Sequence, residues 1–224
     1  MLIIGIDDAG RGPLIGPMFL AGVLLEAKEE KSLKEEGVAD SKVLTHPQRI
    51  RLCGMIKDSV IDFKIVESKP EEIDRAVLTA GMNLNTLEAM KAAEIINYLN
   101  KGRTNDKIKI IVDCPSINLT TWRNTLLSFI QNTENLDVIC EHKADANHPS
   151  VSAASILAKC AREDAVAELK KQYGEIGSGY PSDPYTKAFF KTKGKELENS
   201  GIFRKSWATW KALFPDPKQS QLNI

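Results

Sequence analysis

The chain opens on Leu2-Ile3-Ile4-Gly5-Ile6, an apolar run that ends on two adjacent carboxylates, Asp7 and Asp8, and then breaks into Gly10-Arg11-Gly12-Pro13. A short apolar run closed by a Gly/Pro turn reads as a buried strand. A second apolar run over Pro17 to Leu25 makes the opening strand, loop, strand. Carboxylates at the C-terminal end of a strand fall where open α/β sheets usually present their sites.

The rest of the pattern extends this opening. Ile61 to Ser68 alternates loosely between apolar and polar residues, as a strand with one covered face does, and completes an N-terminal three-stranded unit. Pro70 to Leu78 and Asn85 to Leu99 read as helices. In the second, Asn85 with Glu88 resembles a capping box, and Leu87, Met90, Ala93, Ile96 and Tyr98 recur near helical spacing. Lys107 to Val112 is a buried-type strand ending on Asp113, a helix spans Trp122 to Ile130, and Leu136 to Glu141 is a last strand. A long helix follows over Ser150 to Lys171. Beyond Gly177-Ser178-Gly179-Tyr180-Pro181 the chain turns basic and aromatic, with Phe189, Phe190, Phe203, Trp207, Trp210 and Phe214, and reads as a helical extension packed on the core.

Composition narrows the class. At 224 residues, 42% hydrophobic and 27% charged, the chain suits an ordinary globular core. Lys plus Arg equals Asp plus Glu at 30 each, so net charge alone does not call for nucleic acid. The local excess of Lys187, Lys191, Lys193, Lys195, Arg204, Lys205, Lys211 and Lys218 could line a phosphate groove, or simply be a solvated helical face. Cys53, Cys114, Cys140 and Cys160 form no Cys-x-x-Cys pair, which signals neither zinc nor a disulfide framework. No charged leader precedes Met1-Leu2-Ile3-Ile4 and no apolar run reaches membrane-spanning length, so an intracellular, soluble, cytoplasmic protein is expected.

Three acidic positions stand out. Asp7-Asp8 and Asp113 each end a strongly apolar strand, and Asp145 lies between the last strand and the long helix. Singly, each reads more often as a cap or turn residue. Together, with no Ser-His-Asp or Cys-His arrangement beside them, they suit metal-assisted phosphoryl chemistry, because carboxylate oxygens are the hard ligands that Mg²⁺ and Mn²⁺ prefer. His142 and His148 rank below them, as ligands or as structural residues. The glycines flanking Arg11 let a backbone approach a ligand closely, and amides exposed in that way can bond a phosphate or the 2′-hydroxyl that marks RNA.

Several longer stretches resemble the ribonuclease HII family, type 2 ribonuclease H. Asp7-Asp8-Ala9-Gly10-Arg11-Gly12-Pro13 looks like its opening D-E-A-G-R-G-P, and Asp40-Ser41-Lys42 like its D-S-K. His142-Lys143-Ala144-Asp145 with Val151-Ser152-Ala153-Ala154-Ser155 matches its fourth-acid region, and Gly177 to Asp183 its G-S-G-Y-P-S-D. The matches run in family order over nearly the whole chain.

The resemblance implies an α/β RNase H-like fold, with a central five-stranded mixed sheet flanked by helices over residues 1–175 and a C-terminal helical substrate-binding extension over 176–224. It implies an endonuclease that cuts the RNA strand of RNA/DNA hybrids and the 5′ side of ribonucleotides embedded in duplex DNA. Products would carry 3′-hydroxyl and 5′-phosphate ends. Asp7, Asp8, Asp113 and Asp145 would bind two Mg²⁺ or Mn²⁺ ions. Gly10, Arg11 and Gly12 would read the ribose, Tyr180 would stack on the following deoxyribose, and Lys42, Lys143 and Arg204 would meet phosphates. A monomer is expected.

One departure falls at the centre of this set. The family's second acid is normally Glu, and Asp8 is shorter by about 1.5 Å, a carbon–carbon bond, against the strict octahedral geometry of Mg²⁺. Reduced activity, greater reliance on Mn²⁺, or a chain that mainly binds RNA–DNA junctions would follow. Gln219 and Leu222 are spaced like the start of a sliding-clamp-binding peptide, whose aromatic pair does not follow. A remote alternative is an actin-like or sugar-kinase-type ATPase fragment, since Ile4-Gly5-Ile6-Asp7 before a Gly-rich turn also resembles a first phosphate loop.

Overall fold

The computed structural model describes residues 1–38 and 44–215. Five strands, β1 (Leu2–Ala9), β2 (Met18–Glu26), β3 (Asp62–Ser68), β4 (Ile108–Asp113) and β5 (Leu136–Glu141), form one sheet in the order β3-β2-β1-β4-β5. β1 pairs antiparallel with β2 and parallel with β4, and β4 pairs parallel with β5, which makes the sheet mixed, as expected. The helices are α1 (Glu29–Glu35), α2 (His46–Ser59), α3 (Pro70–Leu78), α4 (Leu84–Leu99), α5 (Leu119–Phe129), α6 (Ala144–Asn147), α7 (Pro149–Tyr173), α8 (Pro184–Lys193) and α9 (Ala208–Leu213).

Three local expectations needed correction. Two helices, α1 and α2, intervene between the second and third strands. The signal for α2 was local: Pro47 lies in its first turn, and Gln48 Oε1 accepts the Thr45 N–H at 2.8 Å, half of a capping box. Asn85 is not the N-cap, because α4 already begins at Leu84, and Glu88 is 1% exposed. Within α4, Leu87, Ala93 and Ile96 are buried whereas Met90 and Tyr98 are exposed.

The chain gathers into two compact units. The first contains Met1–Ala9, Phe19–Glu67 and Asn85–Ala161, and therefore the sheet. β1 is its central strand and is covered on both faces, which is why its apolar run does not alternate. Strand residues alternate between faces. On the face of Ile3, Gly5 and Asp7 lies the start of α7, so close that a Cβ on Gly5 would overlap the Ser150 backbone. On the face of Ile6, Gly22 of β2 lies opposite and gives room to Ile95 and Leu99 of α4. Helix, sheet and helix are thereby layered, with Glu30 of α1 accepting from Ser150 Oγ at 2.7 Å at the start of α7.

The second unit gathers Gly10–Met18, Ser68–Leu84 and the chain from Arg162 onward. Its core is the aromatic cluster anticipated in the last part of the chain: Phe190, Phe203 and Trp210 sit with ring centroids 5.2 to 5.7 Å apart. Leu14 and Ile15 pack into it, and Ile15 bridges to Phe203. Asp74 of α3 binds the backbone N–H groups of Lys205 and Ser206 at 2.7 and 2.8 Å. Part of the basic excess is neutralised locally, by Lys193–Glu196 at 2.8 Å and Lys195–Glu198 at 2.6 Å. Cys53, Cys114, Cys140 and Cys160 are free thiols, and among the described residues no helix is long and apolar enough to cross a membrane.

Candidate active site

The parallel register carries the acids to one edge of the first unit. Ile6 pairs with Val112 and Asp113 with Glu141, so the C-terminal ends of β1, β4 and β5 lie level. Asp7, Asp8 and Asp113 line one small pocket there, together with Glu88 and Trp122. Asp7 is 6% exposed, Asp8 and Asp113 are half-buried, and Asp145 is buried in α6.

Burial pushes the Asp7 carboxyl well above its ordinary value, and the negative charges of Asp8 and Asp113 push in the same direction. A hydrogen bond from the Ser155 hydroxyl opposes the rise. The strand and helix periods explain that partner. Asp7 lies two residues beyond Gly5 on the α7 face of β1, about 6.6 Å along the strand. Ser155 lies about 1.4 turns beyond Ser150, about 7.5 Å along the helix.

Asp145 joins the edge through backbone. Asp113 Oδ1 accepts the Ala144 N–H at 2.8 Å, which puts Asp145 one residue from that contact. Lys143 adopts a left-handed backbone with φ of 56°, the one non-glycine to do so among the described residues. That conformation costs an L-residue about 1 to 2 kcal/mol, and it is offset where the turn delivers the Ala144 amide to a carboxylate. The Lys143 side chain is exposed. His142 Nδ1 lies 3.2 Å from the Cys114 carbonyl and His148 Nε2 2.9 Å from Glu141, so both histidines brace this turn.

The donor set fits a hard divalent cation. Clustered carboxylates, one of them held towards its neutral form by burial and then by its acidic neighbours, are relieved by positive charge. Among the described residues no three His, Cys, Asp or Glu side chains form a closed metal cage. Mg²⁺ rarely uses one, because it retains waters and binds through one or two carboxylates plus substrate phosphate.

The second unit carries the glycine loop. Gly10 has φ of +86°, and a Cβ there would lie 2.6 Å from Arg162 Cδ. Arg204, expected to meet phosphate, is 0% exposed, and its guanidinium donates to the carbonyls of Gly10 and Arg11 at 2.6 Å each and to Gly16 at 2.9 Å. Gly179 N–H and carbonyl are tied in as well: Thr186 Oγ1 accepts from Gly179 N at 3.0 Å, and Leu14 N donates to Gly179 O at 2.8 Å. Tyr180, at the end of that turn, is 38% exposed and lies beside Gly12. Lys42, Gln219 and Leu222 lie outside the described residues.

The profile of the ribonuclease HII family matches residues 4–210. A ribonuclease HII from Methanococcus maripaludis is 42% identical over 99% of this chain and 90% of its own length. The chain belongs to the ribonuclease HII family. Its fold is that of ribonuclease H2 from Pyrococcus horikoshii, with a TM-score of 0.83 at 36% identity over 95% of this chain and 97% of that one. A second solved relative, the ribonuclease HII of a PCNA complex from Archaeoglobus fulgidus, has a TM-score of 0.80 at 33% identity over 92% and 95% of the two chains.

Family membership makes the chain a hydrolase and nuclease of the ribonuclease H type, with the RNase H-like fold, and speaks against the ATPase alternative. Glu88 of the acidic pocket was not legible in the sequence, because its spacing from Asn85 fitted a cap equally well. Nor was Ser155 legible as a partner of Asp7, although it lies within the Val151 to Ser155 stretch that resembles the family.

Proposed function

We propose that the chain cleaves the RNA strand of RNA/DNA hybrids, and the 5′ side of single ribonucleotides within duplex DNA, leaving 3′-hydroxyl and 5′-phosphate ends. The observation that carries this reading is the meeting of Asp7, Asp8 and Asp113 in one pocket, with Asp7 held towards its neutral form. Asp7, Asp8, Asp113 and Asp145 would hold two Mg²⁺ or Mn²⁺ ions. When bound, such ions supply Lewis acidity and lower the pKa of water for in-line displacement at phosphorus.

The protein's own groups do the rest. Ser155 holds the Asp7 carboxylate by a hydrogen bond, and the Ala144 amide holds that of Asp113. The backbone of Gly10, Arg11 and Gly12 reads the ribose 2′-hydroxyl, which only RNA carries. Tyr180 stacks on the next sugar, and exposed Lys143 meets a backbone phosphate. Arg204 acts through the loop it braces. We further propose that residues 1–175 form the catalytic domain and 176–224 an extension that adds to substrate binding, and that Gln219 and Leu222 dock on a sliding clamp, as suggested by the PCNA complex of the Archaeoglobus relative.

The shorter reach of Asp8 favours a second reading, a weakened enzyme that chiefly binds RNA–DNA junctions. The test is cleavage of an end-labelled duplex holding one ribonucleotide, in Mg²⁺ and in Mn²⁺, by this chain and by Asp8→Glu. A cut 5′ of the ribose by the chain as it stands supports the enzyme, a cut by Asp8→Glu alone supports the weakened form, and no cut by either overturns both.

A further inference from the structure

Arg162, on α7, reaches both the glycine loop and the turn carrying Tyr180 with its charged end. Its Nη2 donates to the Ser178 carbonyl at 2.6 Å, and its guanidinium carbon lies over the Tyr180 ring, 4.9 Å from the centroid. On the way it passes beneath Gly10, where an added Cβ would lie 2.9 Å from Nε. On the far side, a Cβ at Gly179 would lie 3.6 Å from Nη2. Gly12 borders the same ring, with its Cβ position 3.5 Å from Tyr180 Cε1.

This placement is costly for a residue that only fills space. Desolvation pulls the Arg162 pKa below its usual value, opposed by Tyr180 and Glu163. Its Nε is buried without a hydrogen-bond partner, and a buried donor left unmet destabilises the fold. A Met or Leu would fill the same volume without either penalty. What an arginine adds is a planar group that can bond a carbonyl in its plane while stacking on an aromatic ring through its face.

We propose that Arg162 is a positioning residue that locks the Tyr180 ring and the Gly10–Gly12 loop into one geometry, and thereby sets the preference for a ribonucleotide followed by a deoxyribonucleotide. The inference rests on the functional reading above, in which the loop meets the ribose and Tyr180 the next sugar. With one ring face covered by the guanidinium, the ring presents its remaining surface in a single orientation. The spacing between the two adjacent sugar contacts then depends on one side chain.

The test compares steady-state cleavage of two duplexes of equal length, one with a single ribonucleotide and one a uniform RNA/DNA hybrid, by the wild-type chain, Arg162→Met, Arg162→Lys, Tyr180→Ala and Arg162→Met/Tyr180→Ala. Arg162→Met is expected to lower kcat/KM on the single-ribonucleotide duplex about 10-fold more than on the hybrid, within the range known for ångström-scale misplacement. Arg162→Lys recovers only part of that ratio, because an ammonium cannot stack and bond in the same way. In the Tyr180→Ala background the Arg162 substitution leaves the ratio unchanged. Equal losses on both duplexes, or the same change of ratio with and without Tyr180, overturn the proposal. If Arg162→Met melts early, Arg162→Lys carries the same comparison. Wild-type cleavage of neither duplex instead removes the functional reading and the inference with it, an outcome distinct from wild-type cleavage with an unaltered ratio in the variants.

Discussion

The guanidinium of Arg204 donates to the carbonyl oxygen of Gly10 at 2.6 Å, across a separation of 194 residues in the chain. Each hydrogen bond to a charged group contributes about 1.5 to 3 kcal/mol, and a buried carbonyl left unmet costs about 1 to 3 kcal/mol. Arg204→Met should therefore destabilise the protein by about 3 kcal/mol or more, read as a lower urea midpoint with an unchanged slope. Cleavage should fall with it, because the loop loses its brace.

Asp7 links the acidic edge to pH. Its folded-state pKa is raised, so the folded state holds a proton that the unfolded state has already lost above the ordinary carboxylate value of 3.8. Metal-free protein should accordingly lose stability as pH climbs from that value through the raised pKa of Asp7. In chelator at neutral pH, Asp7→Asn should melt above the wild type. Mn²⁺ at about 100 times its Kd should raise the wild-type melting temperature by roughly 5 to 10 °C and leave Asp7→Asn nearly unmoved. A wild-type melting temperature insensitive to Mn²⁺ would count against a metal site.

Asp183 behaves in the opposite sense. It caps α8, its Oδ1 accepting from Tyr185 N at 2.8 Å and its Oδ2 from Ser178 N at 2.6 Å, and hydrogen bonds from Ser178 lower its pKa to about 2. The stability it contributes is fully present above the unfolded value of 3.8 and is lost as pH falls through about 2. Asp183→Ala should cost about 1 kcal/mol at neutral pH, the usual worth of an N-cap, and acid titrations of the two proteins should draw together towards the lower limit.

Lys143 is exposed beside the acidic edge. If it meets one phosphate, Lys143→Ala should weaken binding of ribonucleotide-containing duplex uniformly across sequences. The slope of log affinity against log salt should shrink by about 1. An unchanged slope in fluorescence titrations over a range of KCl concentrations would remove Lys143 from the interface.

Local chemistry by itself determined the strands of the sheet and the positions of Asp7, Asp8 and Asp113. An apolar run closed by Gly or Pro reports its own burial, and a carboxylate near its end reports where the sheet edge lies. Helix α7 was legible for the same reason, as a long stripe without a breaker. Helices α1 and α2 were not, because their buried residues, Leu33, Leu52, Cys53 and Ile56, are few and the rest of each helix faces solvent. Only the tertiary structure decided the partners. Nothing near Arg204 or Arg162 in the chain announces Gly10, since close approaches between residues well over a hundred positions apart depend on how separate segments come together. Glu88 entered the acidic pocket, and Arg204 was turned from a presumed phosphate contact into an internal brace, through packing that no local pattern encodes.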